Sequence, residues 1–568
     1  MRRRLALPVL LVLLGLTLAS GCGGGDARSG SDAARPAAPG DRRCSEAAVA
    51  ELEATGLAPC NPYLAPTAQA ATHGNSYRQS TYLPATSPDG RLRAEHLELE
   101  GAVAIWAHES TPYPDGTRVL WLNVAGTEQV AKVDAESFTV LAQTSPATPR
   151  QGMGVAYYEL NADNQVIRLN KSVVEAWGDR DPEDPASPIV RIADFPVPPS
   201  YLCQDEDLVG LAHTYDGRIV IGTSLGNLVV LPADPLAWSD GVVATGSVNG
   251  AACEEGGADL ELMSNNVAVD EQGAVYVVSD RAQYRFDLVG GRLEQTWRAA
   301  YESSSVGAFT GGSGSTPTLM GDPAQADRFV AITDASRFMR LNLYWRDEVP
   351  EGWVPPRDED PRLACSVRVD FGQPGRPGTK TDQSVVVDGY AAYVVDNTVR
   401  GLPELEEIDS GARVVLIELA GSIPEHAPRG AARIDWDPET RTCRTVWENP
   451  WASFPTGIPM VSRGSGLFLD NSLGRQGGRA VFGVRALDAE TGRNRWFVPG
   501  THQGCGDELE SLLALVGARA PDAPFSVVTD NVCENANFAG MTMDSEGRIY
   551  TGTSYGLSRF VVDQEAGR

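Results

Sequence analysis

Lysine is nearly missing from this 568-residue chain, standing only at positions 132, 171 and 380. Arginine carries almost all the positive charge, and 75 acidic residues against 47 basic ones leave a formal charge of −28. That balance argues against nucleic acid and anionic lipid surfaces as partners, because both are recognised through basic patches. The six histidines (73, 96, 108, 213, 426 and 502) never fall at ligand spacing, and no Cys-x-x-Cys occurs. A structural zinc site is therefore not expected. No serine-nucleophile elbow is read. The Gly/Ser-rich stretch from Gly312 to Thr316 runs into Pro317 rather than into a helical pattern, so it is not a phosphate loop. The acidic stretches at 179–184 and 357–360 match no EF-hand loop and read as solvated turns.

What is present begins at the N-terminus. Arg2, Arg3 and Arg4 precede an apolar run over residues 5–18, too short to span a bilayer, and the run ends in Leu18-Ala19-Ser20-Gly21-Cys22. Small residues before a cysteine resemble a bacterial lipobox. The resemblance implies a signal peptide over 1–21 and lipidation of Cys22. It also implies an extracytoplasmic protein anchored to the cell envelope, at the outer membrane where there is one, because Gly23 rather than Asp follows. Loss of residues 1–21 with their three arginines takes the charge to −31. Residues 22–43 are Gly, Ala, Ser, Asp and Pro with few large apolar side chains, a composition that reads as a flexible tether.

Eight further cysteines stand at 44, 60, 203, 253, 365, 443, 505 and 533. An even number in an exported chain implies disulfides, and the pairings open to eight cysteines number on the order of a hundred. Sequential pairing is expected, since Cys44–Cys60, Cys203–Cys253, Cys365–Cys443 and Cys505–Cys533 each close a local excursion. Residues 44–99 read as an N-terminal extension with a short helix over 45–53, where Ala and Glu dominate between Ser45 and a stop at Gly56.

From residue 100 to 568 the pattern turns to short apolar strands punctuated by turns. One phrase is strand, acidic-Gly turn, strand, as in Val267-Ala268-Val269-Asp270-Glu271-Gln272-Gly273-Ala274-Val275-Tyr276 and Met541-Thr542-Met543-Asp544-Ser545-Glu546-Gly547-Arg548-Ile549-Tyr550. A second is Ala486-Leu487-Asp488-Ala489-Glu490-Thr491-Gly492 leading to Trp496, with partial copies ending at Phe138, Trp297 and Trp447. Two hairpins make a four-stranded unit, and its repetition predicts an all-β fold: a single β-propeller of seven or eight blades. The segments fall near 101–142, 148–197, 205–245, 262–300, 312–372, 382–447, 455–498 and 537–565, the last pairing with strands near the start. An insertion at about 499–536 carries an acidic, then apolar, helical pattern flanked by Cys505 and Cys533.

The second phrase resembles the repeat of pyrroloquinoline-quinone-type propellers, in which a tryptophan docks neighbouring blades. The first is similar to repeats of gluconolactonase and NHL-type propellers. The quinone family implies a quinone with calcium, framed by a vicinal cysteine pair that this sequence lacks, so PQQ is disfavoured. The lactonase family implies one divalent ion held on the axis by Glu, Asn and Asp oxygens, and calcium is the cation such ligands suit. The residues expected to line the channel are Asn265, Asn266, Asp382, Asn535 and Asn537, which lead into inner strands, together with His73, in the polar stretch 72–77 expected to cross the channel mouth, and His213, in a predicted inner strand. Two functions follow. One is an envelope-anchored propeller that binds a protein or small ligand on a face of its disc. The other is an enzyme with an axial metal or quinone, a lactonase-like hydrolase or a quinoprotein dehydrogenase. No catalytic residue is assigned.

Overall fold

The computed structural model describes residue 44 and residues 57–563, apart from 100–102, 125–126, 147–156, 204–205, 251–258, 305–310, 322–324, 326, 358–359, 402–416, 418–419, 502–533, 537 and 554–555. Its strands form eight separate sheets, which are the blades of one propeller. In chain order the blades span 103–143, 158–196, 208–247, 268–300, 318–368, 386–449, 460–499 and 542–562. Each is an antiparallel meander whose first strand lies at the axis, and in blades 2, 3, 4, 5, 7 and 8 that strand is buried throughout. The fourth strand, at the rim, is less buried: Leu208–His213 is wholly buried, whereas Arg292–Ala300 alternates. This gradient is why inner strands read as continuous apolar runs and outer ones as period-two patterns.

The turns explain the two phrases. In blade 4, Asp270 Oδ1 accepts from the N–H groups of Gln272 and Ala274, and the Tyr276 hydroxyl donates to Oδ2 at 2.8 Å. Gly273 supplies the positive φ of +87° that closes the hairpin. Asp544 and Tyr550 repeat this arrangement in blade 8. In the second phrase Asp134, Asp437 and Asp488 each cap the third turn of a blade by accepting from the two following N–H groups at i+2 and i+3.

Tryptophans then dock blade on blade. Trp297 of blade 4 donates Nε1–H to the Arg346 carbonyl of blade 5 at 3.1 Å, and Trp447 of blade 6 donates to the Ala489 carbonyl of blade 7 at 3.0 Å. A Cβ at Gly492 would lie 2.5 Å from the Trp447 ring, and one at Gly90 would lie 2.6 Å from Trp496. Replacing Trp447 with alanine is expected to cost about 3–5 kcal/mol of stability, read from urea unfolding, because it opens a cavity between two blades.

Blade 8 takes its outer strand from the N-terminal side. Leu92–Glu98 pairs antiparallel with Gly556–Val562, so both ends of the chain share one sheet and the ring is closed by main-chain bonds. The stretch read as an extension, 44–99, thus contributes a propeller strand. Thr81–Tyr82 also adds to the inner strand of blade 7, in parallel. Across the same closure, the Glu109 carboxylate of blade 1 accepts from the Ser545 N–H and hydroxyl of blade 8.

Two expected disulfides are formed, Cys44–Cys60 and Cys365–Cys443, the second tying the outer strands of blades 5 and 6. Cys203 is disulfide-bonded as well. Cys22, Cys253, Cys505, Cys533, the 45–53 helix and the helical part of the 499–536 insertion lie outside the described residues.

In such meanders the first and third turns of every blade open on one face of the disc, here called the lower. The second turns and the connections between blades open on the upper face. The first continuous stretch of described residues, from 57, meets the propeller on the lower face. There Tyr215 donates its hydroxyl to the Pro59 carbonyl at 2.9 Å, and Tyr63 packs against the first turn of blade 3 at Gly217.

Candidate functional site

Inner strands of a propeller turn N–H groups toward the axis, and in an open channel water would bond them. Here the protein's own chain does so. Main-chain carbonyls of Gln69, Ala70, Ser76, Tyr77, Gln79 and Ser80 accept from the N–H groups of Glu109, Leu160, Val269, Leu319, Val387 and Val461, at 2.7–3.2 Å. These donors belong to blades 1, 2, 4, 5, 6 and 7. Blade 3 is held by side chains, since Asn61 Nδ2 donates to the His213 carbonyl at 2.8 Å and the Arg78 guanidinium to the Leu211 carbonyl at 2.9 Å. To turn from one blade to the next, the segment takes left-handed conformations at His73, Arg78 and Ser80 (φ of 61°, 63° and 52°). Such residues cost on the order of 1–3 kcal/mol each and persist where packing dictates them.

Arg78 is fully buried at the centre. It donates to the carbonyls of Val267, Thr72 and Leu211 and pairs with Glu159 at 2.7 Å. Glu159 Oε2 also accepts from the His213 ring Nδ1 at 2.7 Å and from its main-chain N–H at 2.9 Å. Burial pushes the Glu159 carboxyl up, but Arg78 and His213 outweigh it and hold the group below its ordinary range. His73 packs edge-on to Trp106 and hydrogen-bonds Ser80 at 3.0 Å. Burial, with Arg78 nearby, lowers its pKa to about 3.

His108 is buried just outside this segment. Its Nδ1 meets Gln69 Nε2 at 3.1 Å and its Nε2 meets the Tyr158 carbonyl at 2.8 Å, which fixes a neutral ring with the proton on Nε2. Burial lowers its pKa to about 4, although the Tyr158 carbonyl favours the charged form. The unfolded ring titrates near 6.5, so between that value and about 4 the unfolded state binds the extra proton. The contribution is full above pH 6.5 and is lost as pH falls through that window. The His108→Gln variant is expected to flatten the fall of unfolding free energy between pH 6 and pH 4 by about 1.4 kcal/mol per pH unit, measured by urea titration at each pH.

Of the residues expected to line an axial ion site, Asn265, Asn266 and Asn535 each bond an adjacent blade or its connection, while Asp382 bonds within its own blade through its main-chain N–H. Asn265 Nδ2 donates to the Ser313 carbonyl at 2.9 Å. Asn266 Oδ1 accepts from the Leu211 N–H at 2.8 Å, and its own N–H reaches Thr316 Oγ1 at 3.3 Å. The Asp382 N–H donates to Asn397 Oδ1, while Asn397 Nδ2 donates to the carbonyls of Phe454 and Pro455. Gln383 Nε2 donates to the Thr456 carbonyl, and the Thr456 hydroxyl donates to Asn535 Oδ1. Together they form a belt from blade 3 to blade 8 near the upper face. Asn397, Gln383 and Thr456 were missed by sequence reasoning, since only the neighbouring blade gives them a role. Asn537 lies outside the described residues.

An axial calcium does not fit these residues. The carboxylate on the axis, Glu159, is neutralised by Arg78, and among the described residues no three His, Cys, Asp or Glu converge. A quinone does not fit either, because Tyr77, Arg78 and Tyr82, all fully buried, occupy the axis. The Gly-x-Ser-x-Gly spacing occurs at 222–226 and 552–556, but in both places it lies between two antiparallel strands of one blade, blade 3 and blade 8, rather than in a strand-to-helix elbow.

The acidic turn at 179–184 is not merely solvated. Lys132 of blade 1 is fully buried in it, bonding Asp179 and donating to the carbonyls of Pro185 (2.7 Å) and Ser187 (2.8 Å). A tethered ammonium thus takes the place that a bound cation would need. Of the second acidic stretch, residues 358–359 lie outside the described residues.

No protein-family model matches the chain. An uncharacterized protein of Archaeoglobus fulgidus is 33% identical over 507 residues, covering 88% of each chain. Among solved structures, quinohemoprotein alcohol dehydrogenase ADHIIG from Pseudomonas putida HK5 superposes with a TM-score of 0.51 at 13% identity, over 91% of this chain and 82% of its own. BamB from Moraxella catarrhalis gives a TM-score of 0.35 at 10% identity, over 67% of this chain and 96% of its own. The dehydrogenase shares the propeller fold, and at that identity the likeness is one of fold alone.

Proposed function

The chain belongs to the same family as the Archaeoglobus fulgidus protein, and from that starting point we propose that it is a binding protein of the cell envelope. Lipid on Cys22 holds it to a membrane outside the cytoplasm, and a face of the disc engages a protein or small-molecule partner. One observation carries this reading: the axis is filled by residues 57–82, whose polar groups are bonded to the blades. The place where an axial metal or quinone enzyme of this architecture would work is taken, and the faces remain. The excess of acidic residues disfavours nucleic acid and favours partners that tolerate or complement negative charge.

The test is elemental analysis and absorption spectroscopy on the purified protein. The binding reading expects neither a stoichiometric divalent ion nor a quinone band. One calcium or one quinone per chain would contradict it and restore the axial enzyme.

A further inference from the structure

We infer that the lower face lies against the lipid surface, touching it with apolar side chains on the third turns of the blades, so that the upper face is the one offered to a partner. The inference rests on the lipid anchoring of the preceding section and adds a second point of attachment to it. Six of the nine exposed large apolar side chains among the described residues lie at this rim, including Leu236 (57% exposed) and Val243 on blade 3, Val289 (51%) on blade 4 and Val354 (80%) on blade 5, against Tyr201, Leu262 and Trp451 (74%) on the upper connections. Val562 and Val140 occupy the same end of blades 8 and 1. Leu236 stands at the first turn of a short 3₁₀ helix, and Val289 precedes the tight Gly290-Gly291 turn, so both project from the disc on rigid supports.

The occupant is indicated by the chain itself. The first described residues reach the propeller on this face, at Pro59 and Tyr63, and the Cys44–Cys60 disulfide brings residue 44 back to it. Residue 44, the described residue nearest to Cys22 in sequence, therefore sits at the lower face. A tether of the length of residues 22–43 extends to on the order of 70 Å and cannot orient a disc by itself. Apolar contacts on the lower face can. Stable attachment to a bilayer commonly combines a lipid with a second signal. At a formal charge of −28 the second signal is assigned to apolar insertion rather than to charge. Contact of this kind is strongest on zwitterionic lipid and is weakened by anionic lipid, which repels the acidic rim.

The test uses the full acylated protein in phosphatidylcholine vesicles that contain nitroxide-labelled lipid. A fluorophore is placed in turn at Leu236→Cys and Val289→Cys on the lower face, and at Tyr201→Cys and Leu262→Cys on the connections between blades of the upper face. All four positions are exposed, so the fold is not disturbed. Quenching is expected to be roughly three-fold or more stronger at 236 and 289, as for side chains seated in the headgroup boundary. Adding phosphatidylglycerol is expected to reduce it. Equal quenching on the two faces of a protein whose intact mass shows acylation would overturn the orientation and leave the anchor standing. An unmodified Cys22 would overturn the anchor and the orientation together.

Discussion

Replacing Arg78 with methionine is expected to lower the unfolding free energy by about 3–5 kcal/mol, the cost of breaking a buried ion pair from one side. Glu159 would be left as a buried carboxylate with only His213 beside it, and the carbonyls of Thr72, Leu211 and Val267 would lose their donor. Arg78→Lys is expected to recover less than half of this, because one ammonium cannot span the directions that the guanidinium fork serves. The double variant Arg78→Met/Glu159→Gln separates charge from shape. With the carboxylate gone, the second substitution should return part of the loss, a positive coupling measurable in a double-mutant cycle. Additive losses would mean that the two groups are not paired.

Lys132→Met is expected to have an effect of similar size, about 3–5 kcal/mol, at the junction of blades 1 and 2. Methionine keeps the length of the side chain and its packing on Trp121, but it leaves Asp179 and two inward-turned carbonyls without their cation. Burial lowers the Lys132 pKa while Asp179 opposes it, and the same burial raises Asp179, so removal of one partner leaves the other in an unfavourable state. Hydrogen exchange should report the damage locally, with faster exchange over residues 180–188 than elsewhere in blade 2. A variant as stable as the parent would show that solvent already reaches the turn.

The local devices of the fold were legible in the sequence because their causes are local. Asp270 and Gly273 make a hairpin with residues no more than six positions away, and Asp488 and Gly492 do the same at the third turn of blade 7. Strand patterns located eight segments, and the closing role of the last followed from its place in the series. The contents of the channel were less legible. Residues 72–80 read Thr-His-Gly-Asn-Ser-Tyr-Arg-Gln-Ser, a composition that elsewhere marks a solvated loop. They are buried because their carbonyls meet N–H groups from strands between about 190 and 380 positions away, and no short-range pattern encodes such partners. The same holds for Asn265, Asn266 and Asn535. Their position before inner strands was readable, but the adjacent blade to which each is bonded was not.

The most direct measurement is residue-level hydrogen exchange at the inner-strand amides of Leu160, Val269, Leu319, Val387 and Val461. If residues 69–80 fill the channel, these amides are bonded and should exchange only with global unfolding, among the slowest in the protein. Rapid exchange at all five, while second-strand amides of the same blades stay protected, would mean an open, water-filled axis. It would put the search for an active site back there.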